Sequence, residues 1–111
     1  MALTIWHNPR CTKSRETLAL LQARGLQPEI RLYLQDPPDR AELEAALALL
    51  GQPASALLRQ KDSGLAKDAD SGQILDALLR NPALIERPLV LTDSAAAIGR
   101  PPEAVLAILP A

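Results

Sequence analysis

The sequence predicts an α/β fold with one mixed β-sheet, and three observations lead to this class. The first third of the chain has a strand–helix–strand pattern, the middle carries amphipathic helical patterns, and the last third has two short apolar β-type runs before another helical pattern. Parallel strands need a crossover connection, usually a helix, whereas a short turn can join antiparallel strands. The predicted order is βαβ, a helical insertion at about residues 37–82, and ββα, within a single domain over residues 1–111.

The first strand and helix flank the only cysteine of the chain, Cys11. The short apolar run Leu3–Trp6 is typical of a buried central strand. A helical pattern follows from Glu16 to Arg24. Gly25 is expected just beyond the end of this helix, where a left-handed residue is common.

The segment from Glu29 to Leu34 alternates in polarity, which indicates a strand with one wetter face. The expected inward residues are Ile30, Leu32 and Leu34, and the expected wetter face carries Glu29, Arg31 and Tyr33. Because a helix separates it from the first strand, we expect the two strands to be parallel.

The predicted insertion opens with a clear helix start. Asp39 is a favourable N-cap, and Glu42 lies three residues further on, as in a capping box. Gly51 closes the helix. Its apolar residues recur at helical spacing, at Leu43, Ala46, Leu47 and Leu50.

The rest of the insertion contains two further helical segments. Residues 53–58 resemble a short helix, and residues 60–72 form a polar connection that we expect to be mobile. Ser71 or Gly72 begins the next helix, which Pro82 stops.

The end of the chain predicts a hairpin and a final helix. Residues 89–92 are an apolar β-type run, and residues 95–98 are a weaker one beyond the turn Asp93-Ser94. This spacing favours an antiparallel pair. Pro101-Pro102 then starts the last helix, whose apolar residues are Val105, Leu106 and Leu109.

Composition excludes several classes of function. The net charge of −1 provides no global field for nucleic acid or membrane, and two aromatic residues cannot form a stacking platform for single strands. One histidine and one cysteine cannot make a cluster with metal-ligand spacing, so no metal site is expected. With no charged-then-apolar N-terminal segment and no apolar run near 18 residues, we expect a cytoplasmic protein without a signal peptide. We also expect a monomer.

Cys11 lies at a strand-to-helix junction, where a thiolate is favoured. The first N–H groups of a helix have no partners within the helix, and the positive end of the helix dipole points at them. Arg10, Lys13 and Arg15 add positive charge nearby in sequence. We therefore predict a reactive thiol with a lowered pKa rather than an inert buried one. Because the chain has no second cysteine, a disulfide partner must come from another molecule.

Three arginines stand at the ends of predicted elements: Arg59, Arg87 and Arg100. A guanidinium group donates two parallel hydrogen bonds and stays charged, which suits oxyanions. Sequence spacing alone does not show that the three converge. Pro88, just before a strand, is a candidate for a cis bond, although only about 5–6% of X–Pro bonds in folded proteins are cis.

Two further residues could act on the thiol. His7 lies four residues before Cys11 and is either a base or electrostatic neighbour, or a residue that packs at the strand end. Ser14 lies three residues after Cys11 and either donates a hydrogen bond to the thiolate or is a plain serine of the first helical turn.

Residues 7–15, HNPRCTKSR, resemble the active-site signature of the glutaredoxin-coupled arsenate reductases. The second strand and its turn, 32–38 (LYLQDPP), are also similar to that family. So are three motifs, in the family's order, that contain the arginines: ALLR at 56–59, ERPLV at 86–90 and IGRPPE at 98–103. The resemblance implies a thioredoxin-like fold with a helical insertion.

The resemblance also implies a role for each candidate residue. Cys11 would attack arsenic, while His7 and Ser14 would tune its thiolate. The three arginines would hold the oxyanion, and the bond before Pro88 would be cis. Glutathione, a co-substrate rather than a bound cofactor, would attack the thiol–arsenate adduct, and glutaredoxin would resolve the resulting mixed disulfide.

Two alternatives remain at this stage. The Spx-type regulators, which bind RNA polymerase, share this fold, but many carry a Cys-x-x-Cys switch whose second position here is Ser14. The other alternative is a glutathione-dependent thiol reductase that acts on another substrate.

Overall fold

The structure is a computed structural model, and it describes residues 2–109. The predicted domain limits at residues 1 and 111 lie outside this range. The strands are β1 (Thr4–Trp6), β2 (Glu29–Arg31), β3 (Leu89–Leu91) and β4 (Ala96–Ile98). The α-helices are α1 (Thr12–Ala23), α2 (Arg40–Leu50), α3 (Gln60–Ser63) and α4 (Ser71–Arg80), and 3-10 segments cover Ala54–Leu57, Pro82–Leu84 and Pro102–Ile108.

The four strands form one mixed sheet in the order β2-β1-β3-β4. β1 pairs with β2 in parallel and with β3 antiparallel, and β3 and β4 form the antiparallel hairpin. The predicted α/β fold with a mixed sheet is therefore confirmed. β1 lies between β2 and β3 in the sheet. The loop that carries Cys11 therefore follows a strand that has a neighbouring strand on each side.

The sheet has a core on each face because neighbouring residues of β1 point to opposite sides. Ile5 packs with residues of α1, β3 and the C-terminal 3-10 helix, namely Leu21, Val90 and Val105. Trp6 belongs to the larger core on the other face, which α2 and α4 cover. In the described part of the chain, none of the helices combines the length and hydropathy needed to cross a membrane.

The helix caps follow the sequence closely. Asp39 accepts from the N–H of Glu42 while the Glu42 side chain accepts from the N–H of Asp39, which completes the predicted capping box. Asp70 and Gln73 form a second capping box at α4. Gly25 and Gly51 both have a positive φ at helix ends, where glycine adopts the left-handed conformation without strain.

The predicted faces of the second strand are wrong. The strand ends at Arg31, and Leu32 begins a turn in which its carbonyl accepts from the N–H groups of Gln35 and Asp36, so the alternation does not continue. Tyr33 is fully buried, whereas Ile30 and Leu34 are among the exposed apolar side chains. Ile30 is exposed because β2 is an edge strand, and Arg31 turns inward against Trp6 and Glu42.

Two other predictions need correction. The first residues of the predicted connection at 60–72 form α3, where Asp62 N–H donates to the Arg59 carbonyl. The final helix, Pro102–Ile108, is a 3-10 helix rather than an α-helix, and its buried residues are Pro102 and Val105.

Candidate active site

Cys11 is the N-cap residue of α1, and its extended backbone directs the chain into the helix. Its side chain is partly exposed. Partial burial is the largest single influence and raises the pKa of the thiol, but four groups together lower the pKa by more: the N–H of Ser14, the Arg87 guanidinium, the N–H of Lys13 and the charge of Arg100. The net result is a pKa below that of a free thiol, which favours the nucleophilic thiolate.

Arg87 and Arg100 reach Cys11 from the far end of the chain. The Nη2 atom of Arg100 lies 3.6 Å from the Sγ of Cys11, and its Nε donates to the carbonyl of Arg87 at 2.9 Å. Arg87 donates to the Ala83 carbonyl through Nη1, while its buried Nε has no hydrogen-bond partner within residues 2–109. These contacts tie Arg100 to the thiol and to the main chain of Arg87.

Arg59 joins this group through a carboxylate that the sequence reasoning missed. Glu86 Oε1 lies 3.0 Å from Arg100 Nε and 3.6 Å from Arg59 Nη1. A cavity of about 200 Å³ lies beside Arg100. It is lined by Arg59, Gln60, Lys61, Glu86 and Arg100. The three predicted arginines therefore lie in one region, and the cavity has an excess of positive charge that suits an anion.

His7 and Ser14 form a hydrogen-bonded pair at the end of β1. His7 Nδ1 and Ser14 Oγ are 2.6 Å apart, and the N–H of Asn8 donates to the same Oγ at 3.0 Å. The serine hydroxyl thus faces His7 and Asn8, and Ser14 acts on Cys11 through its main-chain N–H. His7 is buried at the end of β1, with its Nδ1 against the Ser14 hydroxyl.

Ser14→Ala is expected to destabilise the fold by about 1–3 kcal/mol, because Asn8 N–H and His7 Nδ1 both lose a buried partner. The pKa of Cys11 should stay below that of a free thiol, because residue 14 keeps its main-chain N–H. Urea unfolding and titration of the thiolate absorbance measure the two effects. Ser71→Ala, at an exposed position, is the matched control and should leave both unchanged. A thiol pKa that rises in Ser14→Ala would assign the tuning to the hydroxyl instead.

Burial and, to a lesser degree, the charge of Arg15 lower the pKa of His7. The unfolded chain therefore binds a proton at about pH 6.5, where the folded protein does not. The contribution of His7 to the free energy of unfolding is fully present above about pH 6.5. It is lost as the pH falls through the lower pKa that His7 has in the folded protein. Urea unfolding at a series of pH values should show this loss. Because His7 is the only histidine, His7→Gln should remove the difference between pH 7 and pH 6; the same pH dependence in both proteins would contradict the assignment.

Arg100→Gln is expected to raise the pKa of Cys11, because a positive charge 3.6 Å from the sulfur is lost. Alkylation by iodoacetamide near neutral pH should slow by about three- to tenfold as the thiolate fraction falls. Arg15→Gln is the matched control: Arg15 is on the same helix as Ser14, but its guanidinium contacts the Pro9 carbonyl and Thr12. Equal rates for wild type and Arg100→Gln would show that Arg100 does not act on the thiol.

The packing beneath the site depends on a close approach of three segments. Pro88 follows a cis bond, as the resemblance implies, and a second cis bond that the sequence analysis did not anticipate precedes Pro101. The N–H of Gly99 donates to the Pro88 carbonyl at 2.9 Å, and a Cβ on Gly99 would overlap Thr17 Oγ1 and lie 2.8 Å from Pro88 Cγ. Only glycine fits between the helix that carries Cys11 and the segments that carry Arg87 and Arg100.

Residues 6–108 match the sequence profile of the ArsC family. The chain is 47% identical to the Escherichia coli K12 protein YfgD, over 95% of this chain and 94% of that one. It is 43% identical to a Haemophilus influenzae protein named arsenate reductase, over 98% of this chain and all of that one.

Among solved structures, that of an arsenate reductase from Vibrio cholerae superposes with a TM-score of 0.90 at 40% identity, and the match covers 98% of each chain. This likeness confirms the thioredoxin-like fold that the sequence resemblance implies. Cys11, Arg59, Arg87 and Arg100 all lie within the residues that match the family profile.

Proposed function

Because the chain belongs to the ArsC family, we propose that it is an oxidoreductase that reduces arsenate to arsenite, with Cys11 as the nucleophile. The observation that carries this proposal is the contact of Arg100 with the Cys11 sulfur at 3.6 Å, beside a cavity that Arg59 also lines. A thiolate and an oxyanion site within reach of the same guanidinium are what an attack on a tetrahedral oxyanion requires.

The first step is the attack of the Cys11 thiolate on arsenic. An S–As bond forms, one As–O bond breaks, and a hydroxyl group of arsenate leaves as water after it takes up a proton. The guanidinium groups of Arg59, Arg87 and Arg100 hold the remaining oxygens and neutralise their charge. A positioned, partly dehydrated set of donors of this kind stabilises the charge that develops during the attack.

The second step transfers two electrons to arsenic. The thiolate of glutathione attacks the Cys11 sulfur, an S–S bond forms, and the electron pair of the S–As bond leaves with arsenic, which becomes arsenite. Reduced glutaredoxin then attacks the mixed disulfide and returns Cys11 to the thiolate. External thiols are needed because the chain contains one cysteine.

We place this reaction in the cytoplasm, where glutathione and glutaredoxin are kept reduced. The proposed working form is a monomer, because all the proposed groups come from one chain. Size-exclusion chromatography with light scattering tests whether the protein is a monomer in solution.

The test of the proposed function is a coupled assay with arsenate, glutathione, glutaredoxin and a glutathione reductase that oxidises NADPH. We expect NADPH oxidation that requires both arsenate and glutaredoxin, and arsenite as the product. Omission of each component in turn is the control. Oxidation of NADPH that is the same without arsenate would contradict the proposal.

A further inference from the structure

One carboxylate lies among the cations of the arginine-lined cavity. Glu86 Oε1 is 3.0 Å from Arg100 Nε and 3.6 Å from Arg59 Nη1, and 23% of the Glu86 side chain is exposed. Lys61 is the third cation of the cavity wall. Glu86 thus bonds with two of the groups that would hold an oxyanion, and it does so within the cavity itself.

The main chain fixes this arrangement. Leu58 and Ile85 form an isolated antiparallel bridge. The N–H of Glu86 donates to the Leu57 carbonyl at 2.7 Å, and the N–H of Arg59 donates to the Leu84 carbonyl at 2.8 Å. Glu86 and Arg59 therefore start from adjacent, hydrogen-bonded backbone positions, and the carboxylate is a built part of the cavity rather than a mobile surface group.

The carboxylate has two opposing effects on an anion. It satisfies Arg59 and Arg100 when the cavity is empty, which keeps their guanidinium groups in place. It also repels any anion that enters, and the Coulomb energy of this repulsion doubles when the charge of the anion doubles. A site built from arginines and a lysine alone would favour the more highly charged anion.

We infer that Glu86 is a specificity-determining residue that reduces the preference of this positively charged cavity for doubly charged over singly charged oxyanions. This inference rests on the proposed function, and it means that Glu86 shifts the choice between the two ionic forms of arsenate toward the monoanion. The arsenate monoanion has two protonated oxygens and the dianion has one, so the monoanion offers more donors to a carboxylate oxygen, which accepts.

The experiment compares wild type with Glu86→Gln, which removes the charge and keeps the shape and an oxygen acceptor. Sulfate and perrhenate serve as probes, because both are tetrahedral, neither titrates near neutral pH, and their charges are −2 and −1. Affinities come from NMR titrations of isotope-labelled protein at constant ionic strength. We expect Glu86→Gln to bind sulfate about tenfold and perrhenate about threefold more tightly than wild type does.

Asp62→Asn is the matched control. Asp62 bonds to Arg59 Nε at 3.0 Å, but its side chain is 51% exposed and lies outside the cavity lining. Asp62→Asn removes one negative charge, as Glu86→Gln does. We expect less than about a twofold change in affinity for either probe, because solvent screens an exposed ion pair. Thermal unfolding of both variants checks that the fold is intact.

A merely structural role predicts a different result. If Glu86 only held the arginines in place, Glu86→Gln would weaken the binding of both probes to the same extent, and this outcome would overturn the inference. Wild type that binds neither probe would overturn it as well. The expected affinity ratio together with no arsenate turnover by wild type would support the charge discrimination and contradict the proposed function, so the two failures are distinguishable.

Discussion

Cys11→Ser is expected to lower arsenate turnover by at least about 10³-fold, because the proposed reaction uses the sulfur atom twice. The thiolate first bonds to arsenic, and the same sulfur then bonds to glutathione while arsenic receives the electron pair. A serine hydroxyl is not ionised near neutral pH, and its oxygen cannot form the mixed disulfide. The coupled NADPH assay, with arsenite detected directly, measures the loss.

The variant also separates chemistry from binding. Cys11→Ser keeps Arg59, Arg87 and Arg100, so its affinity for oxyanions should remain close to that of wild type. Loss of turnover with retained affinity is the expected pair of results. A variant that keeps substantial turnover would show that another group starts the reaction, and one that loses oxyanion affinity would show that the sulfur holds the anion site together.

Gly99→Ala is expected to destabilise the fold by about 1–3 kcal/mol, because the new methyl group overlaps two buried neighbours. Thr17 is fully buried and its hydroxyl donates to the Lys13 carbonyl, and Pro88 is also fully buried. Neither side chain can turn away, so the Pro88 segment has to move relative to α1. Arg87 then moves away from Cys11, and the pKa of the thiol should rise.

Two variants make this result specific. Gly72→Ala is the matched control, because a Cβ there meets Asp70 at an ordinary contact distance of 3.4 Å, and alanine in the first turn of α4 should stabilise slightly. Thr17→Ala combined with Gly99→Ala removes the main overlap and should recover part of the lost stability. Urea unfolding measures all of these. Equal stability of Gly99→Ala and wild type would contradict the predicted overlap.

The elements were predictable from the sequence where a local signal determines them. The capping box of Asp39 and Glu42 and the strand-to-helix junction at Cys11 are examples, since both depend on neighbouring residues. The faces of the second strand were not predictable from polarity alone. Arg31 lies inward because Glu42 neutralises it and Trp6 packs against it, and both partners come from other elements.

The candidate site shows the same division. Residue type and position identified Cys11 and the three arginines, but not their mutual contacts. Glu86 begins the ERPLV motif, but the sequence does not indicate its role, because that role arises from the Leu58–Ile85 bridge, which joins segments far apart in the chain. The partner of the Ser14 hydroxyl was equally hidden: spacing placed Ser14 beside Cys11, whereas its Oγ turns toward His7.

The contact between Arg100 and Cys11 joins residues 89 positions apart, so it exists only after the sheet and the Pro88 segment are in place. A newly made or unfolded chain keeps the charges close to Cys11 in sequence but lacks the helix N–H donors, Arg87 and Arg100. Its thiol is then mostly protonated and reacts slowly with peroxide or with other disulfides. Completion of the fold thus lowers the pKa of the thiol, so the sulfur is more reactive in the folded protein than in the unfolded chain.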